Sequence, residues 1–240
     1  MSGHSKWKNI MHKKEKTDAQ KAKVFTKIGK EIAIAVKEGG PDPSSNAKLR
    51  DLIQKAKSNN VPNDNIDRII KKASGADAVA YEEITYEGYG PCGVAVIVEA
   101  ATDNRNRTAG DIRHYFSKCG GNLGAQGCVS FMFTDMGLIT IEDEDGDIDE
   151  EALMEAALEA GAADFKSEEG VYEIYTECDD LEAVTEALAA QGYKATTSEE
   201  TKVPSSYTAI DEEAAANMEK LLDYLDECED VTGVYHNWDA

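Results

Sequence analysis

Over residues 17–75 the apolar positions recur at the spacing of helix faces. Phe25, Ile28, Ile32, Ala35 and Val36 form one stripe behind Thr17, a suitable N-cap. Gly39-Gly40 ends that helix, and Pro41 and Pro43 prevent its return. A second stripe of Leu49, Leu52, Ile53 and Ala56 starts near Ser45 and stops at Asn59-Asn60. A third runs from about Pro62 through Ile66, Ile69, Ile70 and Ala73 to Gly75. Together they predict a three-helix module.

After Gly75 the period changes to two. Residues 81–87 and 93–100 read as strands joined by GYGPCG, and a helix over 105–119 buries Ala109, Ile112 and Phe116. A further strand is predicted at 128–133. The helix that would cover this sheet lies far along the chain, at 211–229, where Ala215, Met218, Leu221, Leu222 and Leu225 share one face; the strand-like segment 231–236 follows it. Between these halves, residues 137–201 read β-α-β-β-α-β, the ferredoxin-like order. The expected fold is therefore α+β and multi-domain. A basic arm and three-helix domain occupy 1–76, a discontinuous α+β domain 77–134 with 204–240, and an inserted acidic ferredoxin-like domain 135–203.

Charge divides the chain in the same place. Residues 1–75 hold 17 Lys and Arg against 8 Asp and Glu, whereas residues 76–240 hold 8 against 39, for a formal net charge of -22 overall. A basic module on an acidic body approaches polyanions by one end only. The longest strongly apolar run, 93–98, is far short of a spanning helix, so no membrane partner is expected. No apolar region follows the N-terminal lysines, so no secretory signal is read there. The five cysteines, odd in number and widely spread, read as small buried thiols in a reducing, cytoplasmic setting.

GYGPCG fits a dinucleotide fingerprint by letters, yet a strand rather than a helix follows it, so a hairpin turn is expected. In the acidic run 142–149, taking Gly146 as the sixth position of a calcium loop puts Ile141 first and Ala152 twelfth. Neither supplies a carboxylate, so a strand-to-helix turn is the better reading. Gly121–Gly124 resembles a backbone-clamping GxxG loop, but it joins a helix to a strand, as a C-cap turn would. His4, His12, His114 and His236 are scattered, and no nucleophile-and-base motif occurs. No catalytic residue, metal or cofactor is therefore expected.

The basic positions carry the functional signal. Lys6, Trp7, Lys8, Lys13, Lys14 and Lys16 form a basic arm with one aromatic able to stack on a base. Lys23, Lys27 and Lys30, with Lys37, lie at helical angles away from the first apolar stripe, a layout suited to phosphate. Lys48, Arg50, Lys55, Lys57, Arg68, Lys71 and Lys72 add charge on the next two helices. Arg105 and Arg107 open a helix whose dipole is already positive there, so they call for an anion: Asp103 as a cap, or a phosphate.

Six blocks, GHSKWKNI, FTKIGKEI, NVPNDNIDRIIKK, YEGYGPCGVAVIVE, TDNRNRTAGDIRHYFSKCGGNLG and VTGVYHNW, span residues 3–238 and resemble the YebC/PmpR family. The resemblance implies a helical N-terminal domain and two α+β domains. It also implies a transcriptional regulatory protein that binds DNA, or, as for the related mitochondrial translational activator of cytochrome oxidase subunit I, a factor in translation. Nucleic acid, DNA or ribosomal RNA, is thus the expected partner, with the ribosome as the alternative target and relief of stalling as the alternative role. A protein-interaction scaffold is a third possibility. Asn63, Asn65 and Arg68 on the third helix are the base-reading candidates, whereas the first helix offers mostly lysine, which suits phosphate. The oligomeric state is not set by the sequence.

Overall fold

The computed structural model describes residues 18–75, 78–143, 146–168 and 170–239. Thr17, Lys6, Trp7, Lys8, Lys13, Lys14 and Lys16 lie outside the described residues. No helix among the described residues is long and apolar enough to cross a membrane. The chain divides into two compact units: Phe133–Ser205, and a discontinuous one made from the chain before and after it.

The discontinuous unit begins with three helices, α1 (Asp18–Gly39), α2 (Ala47–Ser58) and α3 (Asn63–Ala73). Ile28, Ile32, Ala35 and Val36 of α1 pack with Leu49, Ala56, Val61 and Ile66. Asn46, rather than Ser45, starts α2. Its Oδ1 accepts from the Leu49 N–H at 3.1 Å, and its amide donates to the Ala35 and Gly40 carbonyls, both at 2.8 Å. One buried side chain thereby closes α1 and opens α2.

The sheet of this unit runs β3-β1-β2-β9, with β1 at Glu82–Tyr89, β2 at Ala95–Thr102, β3 at Asn122–Leu123 and β9 at Val231–His236. Its pairings are antiparallel. Helix α4 (Arg105–Lys118) and helix α7 (Glu212–Glu227) cover one face, where Val94, Val96 and Val98 meet Ile112, Phe116, Met218, Leu221 and Leu225. Helix α1 packs against β2 and β9, so β2 is buried along its length, as its unbroken apolar run demands. A short parallel pair, β8 (Thr208–Ala209) with β10 (Trp238–Asp239), completes the unit. Buried Asn237 clamps it, accepting the Ala95 N–H at 2.8 Å and donating to the Ser206 carbonyl at 3.2 Å.

GYGPCG is a turn between β1 and β2, with Cys92 (φ 54°) and Gly93 (φ 85°) in the left-handed region. The strand expected at 128–133 is instead a loop ending in a 3-10 turn, Ser130–Met132. Buried Glu87 explains the change, because its carboxylate accepts the N–H groups of Gly127, Val129 and Ser130 at 2.7–2.9 Å. Amides committed to a carboxylate cannot join a ladder. Burial alone would raise the Glu87 pKa, but these donors outweigh it and hold it below the ordinary value.

The other unit is β4 (Phe133–Glu142), α5 (Glu150–Ala160), β5 (Asp164–Glu168), β6 (Val171–Thr176), α6 (Leu181–Ala190) and β7 (Thr197–Pro204). Its order, β5-β6-β4-β7 with every pair antiparallel, is the ferredoxin-like arrangement. Ile139, Ile141, Leu153, Ile174, Val184 and Leu188 form its core. Asp149 caps α5 by accepting from the Glu151 and Ala152 N–H groups, so that end of the acidic run is a turn into a helix.

Asn46→Ala removes a cap and the side-chain donor to one buried and one part-buried carbonyl. It should destabilise the protein by about 2 kcal/mol in urea denaturation.

Candidate nucleic-acid interface

Helix α1 is buried on two sides. One is the predicted stripe, and the other holds Lys27, Lys30 and Ile34. The Lys27 and Lys30 side chains are only 13% and 11% exposed. The Lys27 ammonium donates to the Asp226 carbonyl at 2.6 Å, near the C-terminus of α7. The Lys30 ammonium lies 2.6 Å from the Asp230 carboxylate and 3.0 Å from the Glu229 carbonyl. Both angles follow from the helical period, but the face opposite the first stripe is covered by the C-terminal segment of the chain. Ile34, outside that stripe and 3% exposed, is the sequence signal that marks this second contact.

Asp230 gathers more than Lys30. Its Oδ2 accepts from Arg107 Nη2 at 2.7 Å, Thr108 Oγ1 at 2.8 Å and Thr102 Oγ1 at 3.3 Å, while its carbonyl accepts the Ala101 N–H at 2.8 Å. Burial opposes the charge, but Arg107, Lys30 and Thr108 overcome it and bring the Asp230 pKa down to about 2. Asn104, not Asp103, caps α4 by accepting the Arg107 N–H at 3.1 Å. Asp103 instead takes the Arg107 guanidinium at 3.0 Å. The anion that Arg107 calls for is therefore present within the chain, supplied by two carboxylates. Arg105 differs, with a 3.6 Å pair to Glu82 and a side chain 66% exposed.

The remaining cations of the module, Arg50 apart, sort into two groups. Lys48 pairs with Glu83 and Glu38, and Lys55 with Glu31, whose pKa burial raises despite that partner. Half-buried Lys23 and exposed Lys37, Lys57, Arg68, Lys71 and Lys72 form no ion pair among the described residues. Lys57 of α2 and Lys71 and Lys72 of α3 lie in the last turns of their helices, where they also offset the helix dipoles, and Arg68 sits at the middle of α3. An open groove of about 320 Å³ on the outer side of α2 is lined by Pro43, Ser44, Arg50, Ile53, Gln54 and Lys57. The positively charged surface thus lies on the edges of α2 and α3 more than on the centre of α1. Among the described residues no group of three or more His, Cys, Asp or Glu is placed to hold a metal ion.

Two acid-linked losses of stability should be separable. Burial holds the His236 imidazole down at about 4, from 6.5, so its neutral form stabilises the fold at high pH and that contribution is lost as pH falls through this interval. Asp230, at about 2 against 3.8, contributes stability that is complete above about pH 4 and lost toward pH 2. Asp230→Asn should cost about 2–4 kcal/mol at neutral pH and abolish the lower window alone, as read by urea denaturation across pH.

The chain matches two family models, described as the TACO1/YebC protein N-terminal domain over residues 5–76 and the TACO1/YebC second and third domain over residues 81–238. It is 58% identical over 238 residues to a "Probable transcriptional regulatory protein" of Clostridium botulinum, covering 99% of this chain and 96% of that one. A protein of the same description from Acetivibrio thermocellus is 57% identical over 240 residues, covering 99% of each chain. Among solved structures, a conserved hypothetical protein from Aquifex aeolicus superposes with a TM-score of 0.84 at 45% identity, covering 93% of this chain and 92% of that one. This chain belongs to the TACO1/YebC family.

Proposed function

We propose that this chain is a nucleic-acid-binding regulator of gene expression that acts by binding rather than catalysis. Its N-terminal helical module grips the sugar–phosphate backbone. The observation that carries the proposal is a set of cations with no ion pair among the described residues, Lys37, Lys57, Arg68, Lys71 and Lys72, on a module joined to a strongly acidic remainder. The description of the curated relatives, transcriptional regulatory proteins, supports a DNA target.

A second reading, structured RNA at the ribosome, is favoured by the makeup of α3. A groove-reading helix presents its N-terminal residues to base edges. Here the first turn carries exposed Asp64 beside Asn63, and exposed Asp67 follows it, carboxylates that phosphates flanking a groove would repel. The cations are at the other end. That polarity suits backbone contact without base readout.

The two targets separate by co-sedimentation with ribosomes and by binding to mixed-sequence duplex DNA at one physiological salt concentration. On whichever target binds, Arg68→Gln, Lys71→Gln and Lys72→Gln together should reduce the slope of log affinity against log salt by about 2–3. A wild-type slope in that variant would remove the module from the interface.

A further inference from the structure

Helix α4 carries cations that its surroundings do not. Of the 8 Lys and Arg in residues 76–240, four (Arg105, Arg107, Arg113 and Lys118) lie on this one helix, opposed within it by Asp111 alone. The other helices of that part are acidic: α5 and α6 contain no cation, and α7 has Lys220 against six carboxylates. At about 100° per residue, Asn106, Gly110 and Ser117 form the crest of the outward face, and all three are exposed. Arg113 flanks the crest on one side, and His114 and Arg107 on the other. Arg113 forms no ion pair among the described residues, and Arg105 has only the 3.6 Å contact to Glu82. Lys118 sits 4.3 Å from the Tyr224 ring and Arg107 is held by Asp103 and Asp230, so these two are fixed in place.

We propose that the outward face of α4 is a second contact for the backbone of the nucleic acid held by the N-terminal module; the inference rests on the function proposed above. Charge complementarity selects a polyanion. Continuity selects the same polymer, because Lys30 of α1 and Arg107 of α4 meet on one carboxylate, at 2.6 and 2.7 Å. The basic module and the first turn of α4 therefore adjoin. The short crest lets a phosphate come close, since a Cβ at Gly110 would meet nothing within 4 Å. Arg113 supplies a forked donor on its flank, exposed Arg105 adds another at the N-terminal end of the helix, and Asn106, His114 and Ser117 add polar groups.

The test uses the full-length protein, fluorescently labelled probes (an RNA hairpin and a duplex DNA, both of mixed sequence) and a salt titration. One variant combines Arg105→Gln, Arg113→Gln and His114→Gln. A second is Gly110→Glu, which puts a carboxylate on the crest while replacing a mid-helix glycine, so its thermal midpoint should hold or rise. Each should weaken binding to the probe that wild type binds by roughly ten-fold, and the triple variant should lower the salt slope by about two. Wild-type affinity and slope in both variants, with binding lost in the α3 triple variant, would overturn the α4 contact and leave the proposed function standing. Binding lost in the α4 variants but intact in the α3 variant would uphold α4 and overturn the N-terminal assignment. Failure of wild type to bind either probe would overturn both. Unchanged probe binding with lost retention on poly-glutamate would reassign the face to an acidic protein.

Discussion

Asp230 lies where four stretches of chain converge: the middle of α1, the end of β2, the first turn of α4 and the turn from α7 into β9. The end of β2 and the first turn of α4 are close in sequence and the others are distant; each of the first three stretches brings a donor to the carboxylate held in the fourth. A carboxylate only 8% exposed is costly to bury, and its four side-chain donors and the ionic partners among them make burial tolerable. The three helices of the N-terminal module have a modest apolar core. Their docking on the body leans on charged groups that lose their value if any one partner is removed. The same arrangement withdraws Lys30 from solvent and ties the half-exposed Arg107 to carboxylates, and so bears on which cations remain for a ligand.

The helices were legible in the sequence because each writes a period the chain cannot hide. The stripe of α1 and that of α7 were readable from Ile28 to Val36 and from Met218 to Leu225, and the order of the inserted unit followed from alternation alone. What was not legible depends on contacts distant in sequence. Nothing in Glu229-Asp230-Val231 announces that Asp230 will receive a lysine from α1, so Lys27 and Lys30 read as a solvent face. Ile34 was the one discordant residue, an apolar side chain on the supposedly polar side. At 128–133 the alternation of Val129, Phe131 and Phe133 imitates a strand, but Glu87, a distant residue, takes the amides first. Asn104 and Asp103 are both good caps, and only the position of Arg107 assigns them different tasks.

Net charge is a poor guide to how such a molecule meets a polyanion. The unit 133–205 holds 22 Asp and Glu against 3 Lys and Arg, so its net charge repels phosphate. At physiological ionic strength the screening length is about 8 Å, so a phosphate near the ends of α2 and α3 responds to the cations within that reach and hardly to charges beyond it. Attraction is local and repulsion is the background. On the function proposed above, such a surplus would limit the orientations open to the protein on a polyanion more than it would change the tightness of binding.

The inserted unit begins and ends side by side, Phe133 opposite Pro204 in the ladder of β4 with β7. For the host sheet, β2 must find β9 across a very long stretch of chain, Val96 opposite His236. Once the insert has formed its own local pairings, that stretch shrinks to the width of one strand pair, and the entropy of closing the host loop falls accordingly. The insert thus serves as a staple in time: during synthesis it can fold as soon as β7 emerges, before α7 and β9 exist, and hold the severed halves of its host within reach of each other. The order of assembly is then written into the order of the chain, inner unit before outer, with the N-terminal helices receiving their carboxylate last.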